Sequence, residues 1–286
     1  MAIATRRIRA NGFDFAVDEA GEGDRLALCL HGFPESRFSW RFQLPLLAQM
    51  GYRAWAPDLR GYGETEPKPQ DVASYRIERL MEDVAALIDA SGAGEVTLIG
   101  HDWGAGLAWT FAANQVRPLK RLVIMNVPHP GVFAEHLRRS PRQMLRSWYM
   151  AFFQIPGLPE WLNTRDGAKL IRRAFHGMAV DKSRFPAEVL DRYARDAQRP
   201  GAMTGMVNWY RAAAQSPGKL AGPWPRIEAP TLVIWGEADA ALGLELLDGT
   251  DAHVRDLTIK RLPNVSHWVQ QEAPEAVNTI LESWLG

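Results

Sequence analysis

The sequence predicts an α/β protein with a mostly parallel central sheet flanked by helices, and with an inserted lid made only of helices. In the first half of the chain, short apolar segments alternate with helical segments, which is typical of a parallel sheet covered on both faces. Residues 132–218 are rich in arginine and aromatic residues and contain no strand-like segment. Strand-like segments return at 231–235 and 258–262, so the helical segment interrupts one α/β domain.

Each element follows from a local pattern. Asn11-Gly12, with β-like residues on both sides, predicts a hairpin over residues 7–15. Apolar residues at helical spacing predict a helix over 79–90, and a run of small residues predicts another over 105–113. Apolar runs predict buried strands at 26–30, 54–56, 96–99 and 121–125, and a closing helix is expected at 274–285.

The domain organisation follows from this order of elements. We expect an α/β core made of residues 1–131 and 219–286 and a lid made of residues 132–218. The 286 residues, 47% of them hydrophobic, are enough for a large buried core.

Charge and cysteine content limit the class of partner. The 33 basic and 33 acidic residues cancel, which argues against nucleic acid and an anionic membrane as partners. Neither a signal peptide nor an apolar run of the roughly 20 residues that a membrane helix needs is apparent. The single cysteine, Cys29, lies in an apolar run and is expected in the core of a cytoplasmic protein. Both a monomer and a homodimer remain open.

The segment IGHDWGA, residues 99–105, marks the candidate active site. It follows a predicted strand and begins a predicted helix, and Gly100-x-Asp102-x-Gly104 resembles the turn that usually presents a nucleophilic serine. Gly100 and Gly104 fit a turn so tight that a side chain at either position would clash. The beginning of the helix favours negative charge at Asp102, although helix capping by Asp102 would explain the residue too.

An aspartate at this position implies a particular chemistry. With an ordinary pKa of about 3.9, a carboxylate is ionised at neutral pH and needs no base in order to attack. Displacement of a leaving group from an sp³ carbon would leave an alkyl ester on Asp102. A base is then needed to activate the water that hydrolyses this ester.

The base and its orienting acid are expected at the ends of the last two strands. His267 follows the last predicted strand, and Asp239 follows the strand before it, with Glu237 and Asp248 as competitors for the acid. The chain order Asp102, Asp239, His267 is the order of nucleophile, acid and base expected for this fold. All three would meet at the carboxyl ends of parallel strands.

The segment Leu30-His-Gly-Phe-Pro-Glu35 directly follows another strand. Its backbone at Phe33, together with the N–H group of Trp103, is a candidate oxyanion hole. An ordinary Gly-Pro turn is the alternative, and His31 is expected to be structural.

Six motifs together resemble the epoxide hydrolases of the α/β-hydrolase fold. They are HGFPESRFSW (31–40), DLRGYGETEP (58–67), GHDWGA (100–105), NVPHP (126–130), WGEAD (235–239) and SHWVQQEAPEAVN (266–278). The resemblance implies that two lid tyrosines bind the epoxide oxygen. One matches Tyr149, shortly before FQIPG, and the other matches Tyr210, within NWYR. An alkoxide leaving group needs a proton, and a phenol with a pKa of about 10 can donate it.

The expected function is therefore hydrolysis of a small-molecule epoxide by water, with no metal or organic cofactor. A haloalkane dehalogenase is the first alternative, because Trp103 could donate a hydrogen bond to a halide. That family often has asparagine where Phe33 stands here, or a lid tryptophan, for which Trp148 and Trp209 are candidates. A non-catalytic binding protein on the same scaffold is the remote alternative, but such proteins usually lack one of the catalytic residues.

Overall fold

The fold was analysed in a computed structural model that describes residues 2–216 and 224–286. Its centre is a sheet of eight strands, listed here in chain order: β1 (Ala4–Ala10), β2 (Phe13–Ala20), β3 (Arg25–Leu30), β4 (Arg53–Pro57), β5 (Glu95–His101), β6 (Arg121–Met125), β7 (Thr231–Gly236) and β8 (Leu257–Leu262). Their spatial order is β1-β2-β4-β3-β5-β6-β7-β8. Strands β1 and β2 run antiparallel to their neighbours, and all other pairs are parallel.

The predicted hairpin is present, and it is longer than predicted. Asn11 and Gly12 connect β1 to β2, and both have positive φ, as a tight two-residue hairpin turn requires. Strand β2 continues to Ala20 because its second half pairs with β4. A sequence that shows only local alternation does not reveal this second partner.

Helices cover the sheet and form the inserted region. Those of the core are α1 (Gln43–Gln49), α2 (Ile77–Ser91), α3 (Trp103–Ala113), α10 (Val269–Glu272) and α11 (Pro274–Leu285). Those between β6 and β7 are α4 (Pro130–Arg139), α5 (Pro141–Arg146), α6 (Trp148–Phe152), α7 (Leu158–Met178), α8 (Ala187–Ala197) and α9 (Ala202–Ala214). Helix α7 is interrupted by non-helical backbone at residues 165–168.

The predicted fold class is confirmed, including the helical insertion between two parallel strands. The division into a core of 1–131 and 219–286 and a lid of 132–218 stays a prediction, because residues 218 and 219 lie outside the described residues. Below, "lid" means the helices α4–α9. Cys29 is fully buried in β3, as expected, where it pairs with Ile99 of the neighbouring β5 and belongs to the apolar cluster on the face covered by α1 and α11.

The core lies on both faces of the sheet. One apolar cluster includes α2, α3 and much of the lid, and the other packs α1 and α11 against the opposite face. The carboxyl ends of β3, β5, β6, β7 and β8 all point toward the lid, because these strands are parallel. Residues that follow these strands therefore meet beneath the lid.

Candidate active site

Asp102 lies in a sharp turn between β5 and α3. Its φ of 49° is rare for a residue other than glycine, and such backbone typically costs about 1–3 kcal/mol. A Cβ atom on Gly104 would come within 2.2 Å of the Leu30 carbonyl oxygen, and one on Gly100 within 2.6 Å of the Gly104 oxygen. The turn is therefore as tight as the two glycines predict.

The Asp102 carboxylate has one partner on each oxygen. The backbone N–H of Phe33 donates to Oδ1 at 2.6 Å, and His267 Nε2 lies 3.4 Å from Oδ2. Burial by itself would raise the pKa of Asp102, but the hydrogen bond and charge of His267 outweigh it. The pKa of Asp102 therefore lies below its ordinary value, and the carboxylate is ionised at neutral pH.

His267 connects Asp102 to Asp239. Its Nδ1 lies 2.6 Å from Oδ2 of Asp239, and because an ionised carboxylate only accepts, Nδ1 carries the proton. The competing acid Glu237 instead pairs with Arg261 at 2.7 Å, and Asp248 is exposed. Of the three carboxylates considered from the sequence, only Asp239 contacts the imidazole.

The two carboxylates determine the charge of the imidazole. Burial lowers the pKa of His267, but the charges and hydrogen bonds of Asp239 and Asp102 raise it to about 10. With both carboxylates ionised, His267 is therefore an imidazolium at neutral pH. Its protonation depends on the charge of Asp102.

Asn126 is a site residue for which no role was predicted. It follows β6, and its Nδ2 donates to Oδ2 of Asp239 at 2.8 Å. Its Oδ1 accepts from the backbone N–H of Gly236 at 2.8 Å, and its φ of 47° lies in the left-handed region. Ala241 and Leu242 donate their N–H groups to the other oxygen of Asp239, at 2.8 and 2.9 Å. Four hydrogen bonds thus hold this carboxylate.

Glu35 is a second residue that the sequence reasoning missed. Its fully buried carboxylate accepts from Gly32 N–H, and His101 Nδ1 lies 2.8 Å from it. Gln270 and Gln271 donate to its other oxygen at 2.9 and 2.7 Å. Glu35 therefore connects two segments by hydrogen bonds. One is the loop that presents the Phe33 N–H, and the other is the segment that follows His267.

The lid contributes a hydrogen bond to this network. Tyr193 of α8 is fully buried, and its hydroxyl donates to Oε1 of Gln271 at 2.6 Å. A chain of hydrogen bonds thus leads from Tyr193 through Gln271 and Glu35 to the backbone of Gly32.

The two predicted lid tyrosines lie close together above Asp102. The ring centroids of Tyr149 and Tyr210 are 5.9 Å apart, and the Tyr210 ring also contacts Trp103 and Phe33, at 4.8 and 5.5 Å. Burial, followed by the Asp102 charge, raises the pKa of both phenols above the ordinary value. Both therefore stay protonated and can donate.

Helix α9, which carries Tyr210, is fastened to the core. The Trp209 indole N–H donates to the Arg60 carbonyl at 3.0 Å, and Asn208 Nδ2 donates to the Gln70 carbonyl at 3.0 Å. Gly205 packs so closely on the loop after β4 that an added Cβ would lie 2.7 Å from Cα of Gly61. Tyr149 lies on the five-residue α6, where it is partly buried, and the neighbouring Trp148 is 64% exposed.

Asp102, Trp103, Tyr149 and Tyr210 line one cavity of about 440 Å³. Most of its other walls are apolar side chains of α2, α3, α9 and the segment after β6. Its size is within the roughly 300–1,000 Å³ that is usual for small-molecule sites. Among the described residues, no group of three or more His, Cys, Asp and Glu side chains is arranged to hold a metal ion.

Beside the cavity, two histidines stack where the chain first enters the lid. His129, fully buried before α4, lies with its ring 4.1 Å from that of His253 and nearly parallel to it. Burial, and then the neighbouring His253, lower the pKa of His129 to about 3. Both rings are therefore neutral at neutral pH. Nothing in the sequence pattern predicts this pair.

The comparisons with known proteins agree with this architecture. Residues 28–274 match the family model of the alpha/beta hydrolase fold, which covers most of the chain. The fold, the turn at Asp102 and the family match define an α/β hydrolase. In the described part of the chain, no helix has the length and apolar character to span a membrane.

Similar proteins identify the family within the α/β hydrolases to which the chain belongs. Epoxide hydrolase 4 of Homo sapiens is 37% identical over 98% of this chain and 77% of its own length. The AB hydrolase superfamily protein YfhM of Bacillus subtilis is 35% identical over 97% of this chain and 96% of its own. The crystal structure of the Bacillus megaterium epoxide hydrolase with an inhibitor superposes with a TM-score of 0.90 at 31% identity, covering 98% and 99% of the two chains. The chain belongs to the epoxide hydrolases of the α/β-hydrolase family.

Proposed function

We propose that this protein hydrolyses an epoxide to a vicinal diol through a covalent ester on Asp102. The observation that carries the proposal is one cavity that contains an ionised carboxylate and two neutral phenols, with an imidazole on the far side of the carboxylate. The carboxylate can attack carbon, the phenols can protonate the departing oxygen, and the imidazole can activate water. No other group is needed for the reaction.

In the first step, Oδ2 of Asp102 attacks one epoxide carbon while Phe33 N–H holds Oδ1. The carbon–oxygen bond breaks, and the oxygen takes a proton from Tyr149 or Tyr210. Without that proton it would leave as an alkoxide, whose conjugate acid is about as weak as water. A positioned donor of this kind typically contributes about 10²–10⁴-fold in rate.

Formation of the ester changes the charge beside His267. The Asp102 ester is neutral, so one of the two carboxylates that raise the pKa of His267 is lost. The pKa of His267 then falls, so His267 can return its proton to the phenolate that the first step leaves and become a neutral base. The base thus becomes available only after the first step has occurred.

In the second step, His267 takes a proton from water, and the hydroxide attacks the ester carbonyl carbon of Asp102. The N–H groups of Phe33 and Trp103 stabilise the oxyanion. Trp103 is the first residue of α3, so its N–H has no partner within the helix. The ester bond breaks, and the second proton of the water goes to the second hydroxyl of the diol. His267 keeps the first proton and is again an imidazolium beside the ionised Asp102.

The geometry favours epoxides over haloalkanes. A halide needs N–H donors in the cavity instead of acids, but the indole N–H of Trp209 is used by the Arg60 carbonyl. Trp148, the other candidate, is mostly exposed and does not line the cavity. Neither lid tryptophan thus supplies the second donor that a dehalogenase would need besides Trp103.

A parallel assay tests the proposal. The protein should convert styrene oxide to phenylethanediol and release no bromide from bromobutane. In a single turnover in H₂¹⁸O, the diol should contain no label, because its new oxygen comes from Asp102. Bromide release without diol formation would overturn the function, and labelled diol in the first turnover would overturn the covalent mechanism.

A further inference from the structure

The cavity beside Asp102 follows one face of helix α3. Trp103, Gly106, Thr110 and Asn114 all line it, and their spacing of three, four and four residues places them on a single face. At a rise of 1.5 Å per residue, the wall from Trp103 to Asn114 is about 16 Å long. The cavity is therefore a channel that leads from the carboxylate to the exposed Asn114 at the end of the helix.

The lining of this channel is mostly apolar, although it also contains the polar residues Glu78, Thr110, Asn114 and Ser216. The Thr110 hydroxyl donates to the Gly106 carbonyl at 2.8 Å, and Asn114 Nδ2 donates to the Thr110 carbonyl at 2.8 Å. These donors are thus used within the helix. Other walls are formed by Ile77 and Met81 of α2 and by small residues of α9, so the channel fits a hydrocarbon chain.

Gly106 differs from the two glycines that precede it. Gly100 and Gly104 are required by the turn, because a Cβ on either would meet backbone atoms within 2.6 Å. A Cβ on Gly106 would meet no atom within 4 Å. Glycine inside a helix lowers stability by about 1 kcal/mol relative to alanine. No close packing at Gly106 requires glycine there. The effect of its missing side chain is open space in the channel.

We propose that Gly106 is a specificity-determining residue that keeps this channel open for a long, apolar substituent of the substrate. The inference rests on the proposed epoxide hydrolysis. The oxirane lies at Asp102 under the tyrosines, and an unbranched alkyl chain extends along α3 past Gly106 toward Asn114. The substrate class is therefore epoxides with extended alkyl substituents.

The test compares a short and a long terminal epoxide, ethyloxirane and decyloxirane. Gly106→Leu fills the channel, and kcat/KM for decyloxirane should fall by about 100-fold, whereas that for ethyloxirane should change by less than about threefold. Gly106→Ala should have a smaller effect and a higher Tm, since alanine favours the helix. Gly177→Leu is the matched control, because Gly177 lies in the lid helix α7 with no atom within 4 Å of its added Cβ, and outside the cavity.

Equal losses for both epoxides in Gly106→Leu, or no loss for either, would overturn the proposal. Binding of decanol, measured by calorimetry, separates this inference from the proposed function. If the wild-type protein hydrolyses neither epoxide, the proposed function fails, but decanol should still bind more weakly to Gly106→Leu than to Gly177→Leu. Equal affinities for decanol would refute the channel itself.

Discussion

The core side and the lid side of the cavity are built in different ways. On the core side, Asp102, His267 and Asp239 carry charge, and backbone N–H groups and the buried Asn126 hold their carboxylates. On the lid side, Tyr149 and Tyr210 are neutral and lie among aromatic rings. Buried charge is costly unless it is paired and hydrogen-bonded, so the charged half needs a dense polar support that the neutral half does not.

The two tyrosines on the lid side differ in how they are anchored. Tyr210 is 5% exposed on a helix whose neighbouring side chains donate to core carbonyls, whereas Tyr149 lies on a short helix beside exposed Leu145 and Trp148. The position of Tyr210 is thus fixed by the core. The position of Tyr149 depends on contacts within the lid and with the other rings.

The largest effect is expected on the core side. Asp102→Asn keeps the shape and the Phe33 hydrogen bond but removes the attacking oxyanion, so single-turnover diol formation should fall by about 10⁴-fold or more. His267→Gln should still form the ester, and mass spectrometry should find the substrate mass added to the peptide that contains Asp102. Normal turnover by His267→Gln would show that His267 is not the base.

Substitutions of the two lid tyrosines test the lid side of the cavity. Tyr210→Phe should lower kcat by about 10²-fold or more, because the departing oxygen loses a fixed donor. Tyr149→Phe should have a smaller effect, and the double variant should lose more than either. Steady-state rates with styrene oxide measure this, and thermal unfolding serves as the control for folding. A larger loss of kcat for Tyr149→Phe than for Tyr210→Phe would show that the anchoring of α9 does not make Tyr210 the more important donor.

Substitutions of Asn126 test whether the hydrogen bonds that hold Asp239 contribute to catalysis. Asn126→Gly keeps the positive φ and removes both side-chain hydrogen bonds, so kcat should fall by roughly 10-fold, with the pH profile of kcat displaced. Asn126→Ala adds the left-handed strain, which costs about 1–2 kcal/mol, and should unfold at a lower temperature than Asn126→Gly. An unchanged pH profile in Asn126→Gly would mean that Asn126 is only structural.

The smallest effect concerns stability rather than chemistry. The pKa of His129 is about 3 in the folded protein, against about 6.5 unfolded. The unfolded chain therefore binds the extra proton first, and stability falls as the pH drops below about 6.5, by up to about 1.4 kcal/mol per pH unit.

Urea unfolding between about pH 7.5 and about pH 5.5 measures this slope. His129→Asn should be less sensitive to acid than the wild type. His136→Asn, within the helix α4 that follows His129, is the control for loss of a histidine. An unchanged slope in His129→Asn would assign the acid sensitivity to other groups.

The sequence predicted the elements and the turn at Asp102 because these depend on local patterns. The support of the core side depends on distant partners that no local pattern contains. Asn126 and Asp239 are 113 residues apart, and Glu35 and Gln271 are 236 apart. The contact of Asn126 with Asp239 requires that β6 and β7, which these residues follow, lie side by side in the sheet. The lid tyrosines were predicted only through the resemblance, since helical periodicity does not tell which face meets a cavity.

The hydrogen-bonded chain from Tyr193 to Gly32 has a consequence for recombination between relatives. A lid exchanged as one block would bring its own side chain to the place of Tyr193, while Gln271 would come from the recipient core. A mismatch there would leave Oε1 of Gln271 with Arg41 as its remaining donor and loosen Glu35, which is hydrogen-bonded to Gly32 beside Phe33. Chimeras that inherit Tyr193 and Gln271 from the same parent should therefore be functional more often than those that separate them.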